Sequence, residues 1–379
     1  MARKTIEKNI AYDDERKLYY VTMDYGKDEH GKRIKVTKTF KDKKSAKKAL
    51  VEFEANKAKN NLVIPNSVLL SEWLNYWLND IKSLKCEETT LYGYKKIIDN
   101  HIVPSLGQYK LQEITPQILN KYFKTKIELG LSKTTVRKHY DLLKDVFQQA
   151  IIEEKILKNP LDKIEPIKKE IKEMNYYTIE QLKQLFKIVE NDRMEIVVKL
   201  AGMLGLRRSE IAGLKWDKIN FENRTITISE ARTQAGKETV VKGVKTKTSH
   251  RTLYIPEEIY NLLLKIKSYQ EEQKNILKDN YIDQNYVIAW ENGQPYRPNY
   301  LSDLFKKIIT DNNLPPLRLH DLRHTFASIA NELGISLYDI SKTLGHSNVG
   351  TTSQIYTHVF DKTHKKTIDI IASKINTKN

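Results

Sequence analysis

Between residues 69 and 152 the chain carries four short segments, each with an apolar stripe at helical spacing and each closed by polar turns. Residues 69–78 place Leu70, Trp73, Leu74, Trp77 and Leu78 on one face, and residues 90–102 place Leu91, Tyr94, Ile97 and Ile98 together. Segments 115–129 and 134–152 follow. Apolar residues at i, i+3 and i+4 mark amphipathic helices. Helices this short are marginal alone in water, so each stripe must be buried against the others. The region is thereby constrained to a four-helix bundle, and its aromatic and aliphatic stripes read as core rather than as a ligand site. Ser67, Thr115 and Ser132 stand where N-cap oxygens belong, while Pro104 and Gly107 are expected to break the chain after the second helix.

The flanking regions obey other periods. Residues 19–25 and 34–40 have strand-like, β-branched or alternating character, with Gly26 and Gly31 bracketing the polar turn between them. A weaker strand is expected over 5–12. A helix should cover 43–59, with Ala46, Ala49, Leu50 and Phe53 on its apolar face. After the bundle, residues 158–176 are Pro- and Lys-rich without periodicity and read as a linker. A third unit opens near Tyr177, where Thr178-Ile179-Glu180-Gln181 forms a capping box. Strand character returns over 219–256, and helices resume from Pro256. The expected fold is therefore multidomain and mainly α. It comprises 1–62, a small three-stranded β-sheet plus helix; 63–157, the helical bundle; the linker 158–176; and 177–379, a mixed α+β but mostly helical domain.

Charge narrows the partner. The chain has 65 Lys and Arg against 48 Asp and Glu, a formal charge of +17 over 379 residues. Such a surplus suits a polyanion, nucleic acid first. From Lys32 to Lys48 nine basic residues face one acid, Asp42, a density that could track a phosphate backbone or simply form a solvated face. Cys86 is the single cysteine, so neither an internal disulfide nor a cysteine-based zinc site can form. The N-terminus leads into no apolar run and no stretch is long enough to span a membrane, so a soluble, cytoplasmic protein is expected.

Reactive side chains collect in four islands of the third unit. Gly205-Leu206-Arg207-Arg208-Ser209-Glu210 lies within an apolar helical stretch. Either Arg207 pairs with Glu210 at i, i+3, or its planar fork faces a phosphate. The second island is a hairpin, Lys242 to Arg251, that offers Lys242, Lys245 and Lys247. Lysines at a turn usually serve solubility, but one at a tip can reach a cleft as a mobile acid. The third, His320-Asp321-Leu322-Arg323-His324, invites two readings. His320 and His324 imitate the zinc-hydrolase motif, but aspartate is short for that role, Arg323 adds a positive charge, and no third ligand is evident. Alternatively, His320 and Arg323 share one helix face. The fourth island is Leu344-Gly345-His346, with Tyr356 ten residues on. The chain has 21 tyrosines, so Tyr356 alone would be a poor choice of nucleophile.

Together, two arginines, two histidines, a lysine and a tyrosine make a phosphate-centred set. At these motifs the chain resembles the tyrosine recombinases, above all the integrases of phages and conjugative transposons: Gly-Leu-Arg-x-Ser-Glu at 205–210, His-x-x-Arg at 320–323, Leu-Gly-His at 344–346 and Tyr356, in the family's order. Residues 66–155 resemble its helical core-binding domain, and 1–60 its small arm-binding domain.

The resemblance implies that Tyr356 attacks a scissile phosphate and becomes linked to the DNA 3′ end. Arg207 and Arg323 would stabilise the pentavalent charge, a contribution of about 3–4 kcal/mol each for such preorganised donors. His320 would serve as base for Tyr356, whose free pKa is about 10. Lys247, with Lys245 as second choice, would protonate the leaving 5′-oxygen. His346 would hold the phosphate, with Glu210 behind Arg207. Neither ATP nor metal is needed, because the phosphotyrosine keeps the bond energy. The implied partners are double-stranded DNA at core and arm sites, and a homotetramer joined through a tail that carries Ile368, Ile371 and Ile375. An excisionase and a host DNA-bending protein are left open. The competing functions are a DNA-binding regulator without activity and a type IB topoisomerase.

Overall fold

The structure is a computed structural model that describes residues 3–27, 31–59, 62–170, 175–243 and 250–345. The chain divides into two compact units, Met1–Ile171 and Lys172–Asn379.

The first unit opens with β1 (Lys4–Glu7), β2 (Ile10–Asp13), β3 (Leu18–Lys27) and β4 (Arg33–Phe40), an antiparallel sheet in sequence order, followed by α1 (Lys43–Ala58). The sheet thus has four strands rather than the expected three. The weak strand expected over 5–12 is a hairpin, because Asn9 adopts φ +67° and reverses the chain. Asparagine tolerates that left-handed conformation better than most residues. One face of β3 packs on α1: Val21 and Met23 are buried with Ala46 and Phe53, and Ala49 and Leu50 lie against them. Asp42 caps α1 by accepting the Ser45 N–H at 2.8 Å.

The bundle contains α2 (Leu70–Tyr76), α3 (Glu88–Ile97), α4 (Val103–Leu106), α5 (Pro116–Glu128) and α6 (Lys133–Ile152). Leu70, Trp73, Leu74, Trp77 and Ile98 of the expected stripes are buried with Phe123, Tyr140, Leu143 and Phe147. Thr115 and Ser132 cap their helices, accepting from Ile118 N and Thr135 N. Ser67 caps nothing. The helix begins later, and the Glu72 carboxylate reaches back to the Leu69 N–H at 2.9 Å. Pro104 does not end its helix either. A wide π-type turn at Ile98–Ile102 has already displaced the i→i−4 ladder, so the missing N–H costs little and α4 continues to Leu106. Part of the expected linker is also packed. Leu161 and Ile164 enter the bundle core, and the Tyr140 hydroxyl donates to the Ile164 carbonyl at 3.1 Å. Side-chain bonds to backbone carbonyls tether this aperiodic segment, a tie that leaves no periodic signature.

In the second unit, α7 (Ile179–Ile188), α8 (Glu195–Leu204) and α9 (Arg208–Ala212) precede β5 (Ile219–Asn220), β6 (Thr225–Ile228), β7 (Glu230–Ala235), β8 (Glu238–Gly243) and β9 (Arg251–Tyr254). Then follow α10 (Glu257–Leu277), α11 (Pro298–Asp311), α12 (Asp321–Glu332) and α13 (Leu337–Leu344). The Thr178 capping box forms as expected: Thr178 Oγ1 accepts from Gln181 N, and Gln181 Oε1 accepts from Thr178 N. Helix α8 is buried on nearly every side, so it is the hub of the core. The two strands expected to form one hairpin do not pair with each other: β8 pairs with β7, whereas β9 pairs with β6, so similar strand character in the two had concealed a change of sheet. Among the described residues no helix is long and apolar enough to cross a membrane.

Candidate active site

The first island is positioned by the end of α8. Gly205 takes φ +65°, and a Cβ there would stand 2.6 Å from Leu344 Cδ2 and 2.8 Å from Phe326 Cδ1. Only glycine allows the chain to turn this close to α12 and α13. The turn delivers Arg207 to the start of α9, where it forms the i, i+3 pair with Glu210. Its Nη1 donates to Glu210 Oε1 at 2.6 Å and its backbone N–H to Glu210 Oε2 at 2.9 Å. Nevertheless the side chain remains 30% exposed and lines a cleft of about 1360 Å³.

His320 lines the same cleft, as do Arg208, Arg318 and Lys306. Burial holds the His320 imidazole below its ordinary pKa, and the charges of Arg323, Arg207 and Arg318 act in the same direction. It is therefore mainly neutral at pH 7, able to accept a proton. Its ring meets that of His324 edge to face at 5.3 Å. Asp321, which stood in the glutamate position of the rival zinc motif, is committed elsewhere. It accepts Arg318 Nε at 2.8 Å, Arg318 Nη2 at 2.7 Å and the Arg318 N–H at 3.0 Å. Among the described residues no three metal-ligating side chains converge.

Arg323 lies behind the cleft rather than on it. It is 2% exposed, its Nη1 donates to the Gly205 carbonyl at 2.7 Å, and its Nη2 donates to the Leu344 carbonyl at 2.6 Å. One guanidinium thus joins the first, third and fourth islands. The reading of single motifs missed a further arginine, Arg251. Both its Nη atoms bind Glu210, at 3.2 and 2.9 Å, while its Nε donates to the Thr343 carbonyl at 2.7 Å. A signal for it existed: alternation in the strand puts Arg251 on the inward face with Leu253 and Ile255, where a charge needs a partner. Burial works against ionisation of Glu210, but Arg251 and then Arg207 overcome it and hold the carboxyl down at about 2. Lys245, Lys247, His346 and Tyr356 lie outside the described residues, as do Ile368, Ile371 and Ile375 of the tail.

Comparison with known proteins places this arrangement. The profile of the arm DNA-binding domain matches residues 9–57, that of the phage integrase N-terminal SAM-like domain 69–127, and that of the phage integrase family 175–363. The tyrosine recombinase XerC-like protein of Caldanaerobacter subterraneus subsp. tengcongensis is 29% identical over 98% of this chain and 99% of its own length. The ICEBs1 integrase of Bacillus subtilis is 27% identical, with 93% of this chain and 96% of that protein covered. The solved Tn1549 transposon integrase, in complex with a circular intermediate DNA, superposes with a TM-score of 0.68 at 22% identity, covering 80% of this chain and all of that one. The similarity therefore extends through all three regions in order, and the chain belongs to the phage integrase family of tyrosine recombinases.

Proposed function

We propose that the chain integrates and excises a mobile element by cutting and rejoining DNA at specific sites through a 3′-phosphotyrosyl link. The observation that carries this reading is the placement of Arg207 and His320 on one cleft, with Arg323 tied behind them through the Gly205 carbonyl. A part-exposed guanidinium and a neutral imidazole lining one cleft supply a donor for a non-bridging phosphate oxygen and an acceptor for a nucleophile's proton. In this reading Tyr356 is the nucleophile and His320 its base. Arg207 and Arg323 stabilise the pentavalent phosphate, Arg207 from the cleft and Arg323 from behind it, His346 hydrogen-bonds it, and Lys247 protonates the 5′-oxygen, with Lys245 the alternative.

The division of labour belongs to the same proposal. Residues 1–62 bind arm sites, 63–157 and 177–379 both bind the core site, and 158–176, packed on the bundle at its start, connect them. DNA binding is the property shared across the family, and the relatives include a lambda integrase tetramer solved on a Holliday junction. We assign this chain the same stoichiometry, with its tail joining protomers and the reaction taking place in the cytoplasm. An excisionase and a host DNA-bending protein are accessory partners consistent with arm sites distinct from the core. The deciding experiment replaces Tyr356 by Phe. Wild type should leave a protein–DNA adduct on denaturing gels, and Tyr356→Phe should leave none while still shifting the DNA. An adduct that persists removes Tyr356 from its role; relaxation of supercoils without strand exchange would favour the topoisomerase reading.

A further inference from the structure

We infer that Arg251 is a positioning residue for strand cleavage, fixing Arg207 through Glu210 and, with Arg323, fixing the end of α13 from which His346 follows. The inference rests on the recombinase reading above. Three observations carry it. First, Glu210 is 3% exposed and has both oxygens shared between Arg251 and Arg207, so the place of one guanidinium is set by the other. Second, Arg251 Nε and Arg323 Nη2 donate to consecutive carbonyls, Thr343 and Leu344, at the end of α13. These are last-turn carbonyls without partners inside the helix, at the end where the dipole favours cations. Gly345 then turns the chain at φ +67° directly before His346. Third, the bonds form a closed circuit: Arg207 to Glu210, Glu210 to Arg251, Arg251 and Arg323 to the α13 end, and Arg323 to Gly205, two residues before Arg207.

Arg251 is 8% exposed and does not line the cleft, so it acts through other residues rather than on the DNA. Lysine cannot reproduce the role, because it lacks the planar fork that holds two oxygens while Nε holds a third. Loosening such a support by about 1 Å typically costs on the order of 100-fold in rate.

The test uses the full chain and a nicked duplex carrying one end of its element, with Arg251→Met, Arg251→Lys and the double variant Arg251→Met with Glu210→Gln. Arg251→Met should cleave about 100-fold more slowly in single turnover while DNA affinity stays within about threefold. Its rate should also fall more steeply than that of wild type as pH is lowered from about 8 to 5, beyond the loss that protonation of His320 brings to both, because Glu210 has lost its strongest partner. Arg251→Lys should recover only part of the rate. The double variant should recover thermal stability but not rate, which separates positioning from folding. A folded Arg251→Met with a near wild-type rate overturns the inference, and so does an affinity that falls in step with the rate. If wild type forms no adduct, the recombinase reading fails on its own. Arg251 is then judged by thermal unfolding, where equal acid dependence in wild type and Arg251→Met overturns its hold on Glu210.

Discussion

The bundle of residues 70–167 and the catalytic unit bury very different chemistry. In the bundle, the buried polar residues are Lys126, His139 and Asn159, among many Leu, Trp, Tyr and Phe side chains. The catalytic unit buries Glu195, Lys199, Glu210, Arg232, Arg251, Asp321, Arg323 and His324. Most of these are paired: Lys199 bridges Glu195 and Glu258, each at 2.6 Å, and Glu210 bridges two arginines. Buried ion pairs seldom add stability over a well-packed apolar cluster. The bundle therefore needs only complementary shape, whereas the catalytic unit keeps charges in fixed positions around a cleft where another charge can be received.

The sharpest way to break this contrast is Glu210→Ala, which leaves two guanidiniums without their carboxylate and should cost about 3–5 kcal/mol. Calorimetry should show the catalytic unit unfolding early. A loss under about 1 kcal/mol would mean that the buried charges are dispensable to the fold. Next is Leu143→Ala in the bundle, where a fully buried side chain leaves a cavity worth about 3 kcal/mol. Stability should fall by that amount, but the cleavage rate of DNA-saturated protein should hold at temperatures below unfolding.

Acid tests both regions together. Burial, with lesser contributions from neighbouring charges, depresses both His139 and His324 to about 4. Each is neutral in the fold, whereas the unfolded chain takes up a proton near pH 6.5. Their stabilisation is thus complete above about pH 6.5 and is lost as pH falls toward 4, by up to about 3 kcal/mol each. Urea midpoints that do not move between those values would contradict the buried, neutral assignment. The smallest effect expected is that of Thr178→Ala, about 1 kcal/mol from the lost cap, detectable as a small drop in melting temperature.

Much of this was legible because it is local. The apolar stripes of 70–78 and 134–152, the caps Thr115, Ser132 and Thr178, and the i, i+3 pair of Arg207 with Glu210 depend on residues within one or two turns. The errors occurred where a local signal met another of similar strength. Asn9 could continue a strand or reverse it, Ser67 competed with Glu72 for the helix start, and Pro104 entered a ladder already displaced. Leu161 and Ile164 gave no periodic signal, because a single short 3-10 turn and the hydrogen bond from the Tyr140 hydroxyl to the Ile164 carbonyl place them.

The sequence by itself determined the family, through four motifs whose residue types and order suit phosphoryl transfer, and it determined which segments would be helical, through their period. Only the tertiary structure decided where Arg207, His320 and Arg323 stand relative to one another. Two line a cleft with His320 kept neutral by burial, and the third sits behind them on the carbonyls of Gly205 and Leu344. Only it revealed Arg251, whose partners lie 41 and 92 residues away in the chain. The physical reason is that a buried charge is tolerated only where its partners converge. Convergence of residues distant in sequence is a property of the packed fold.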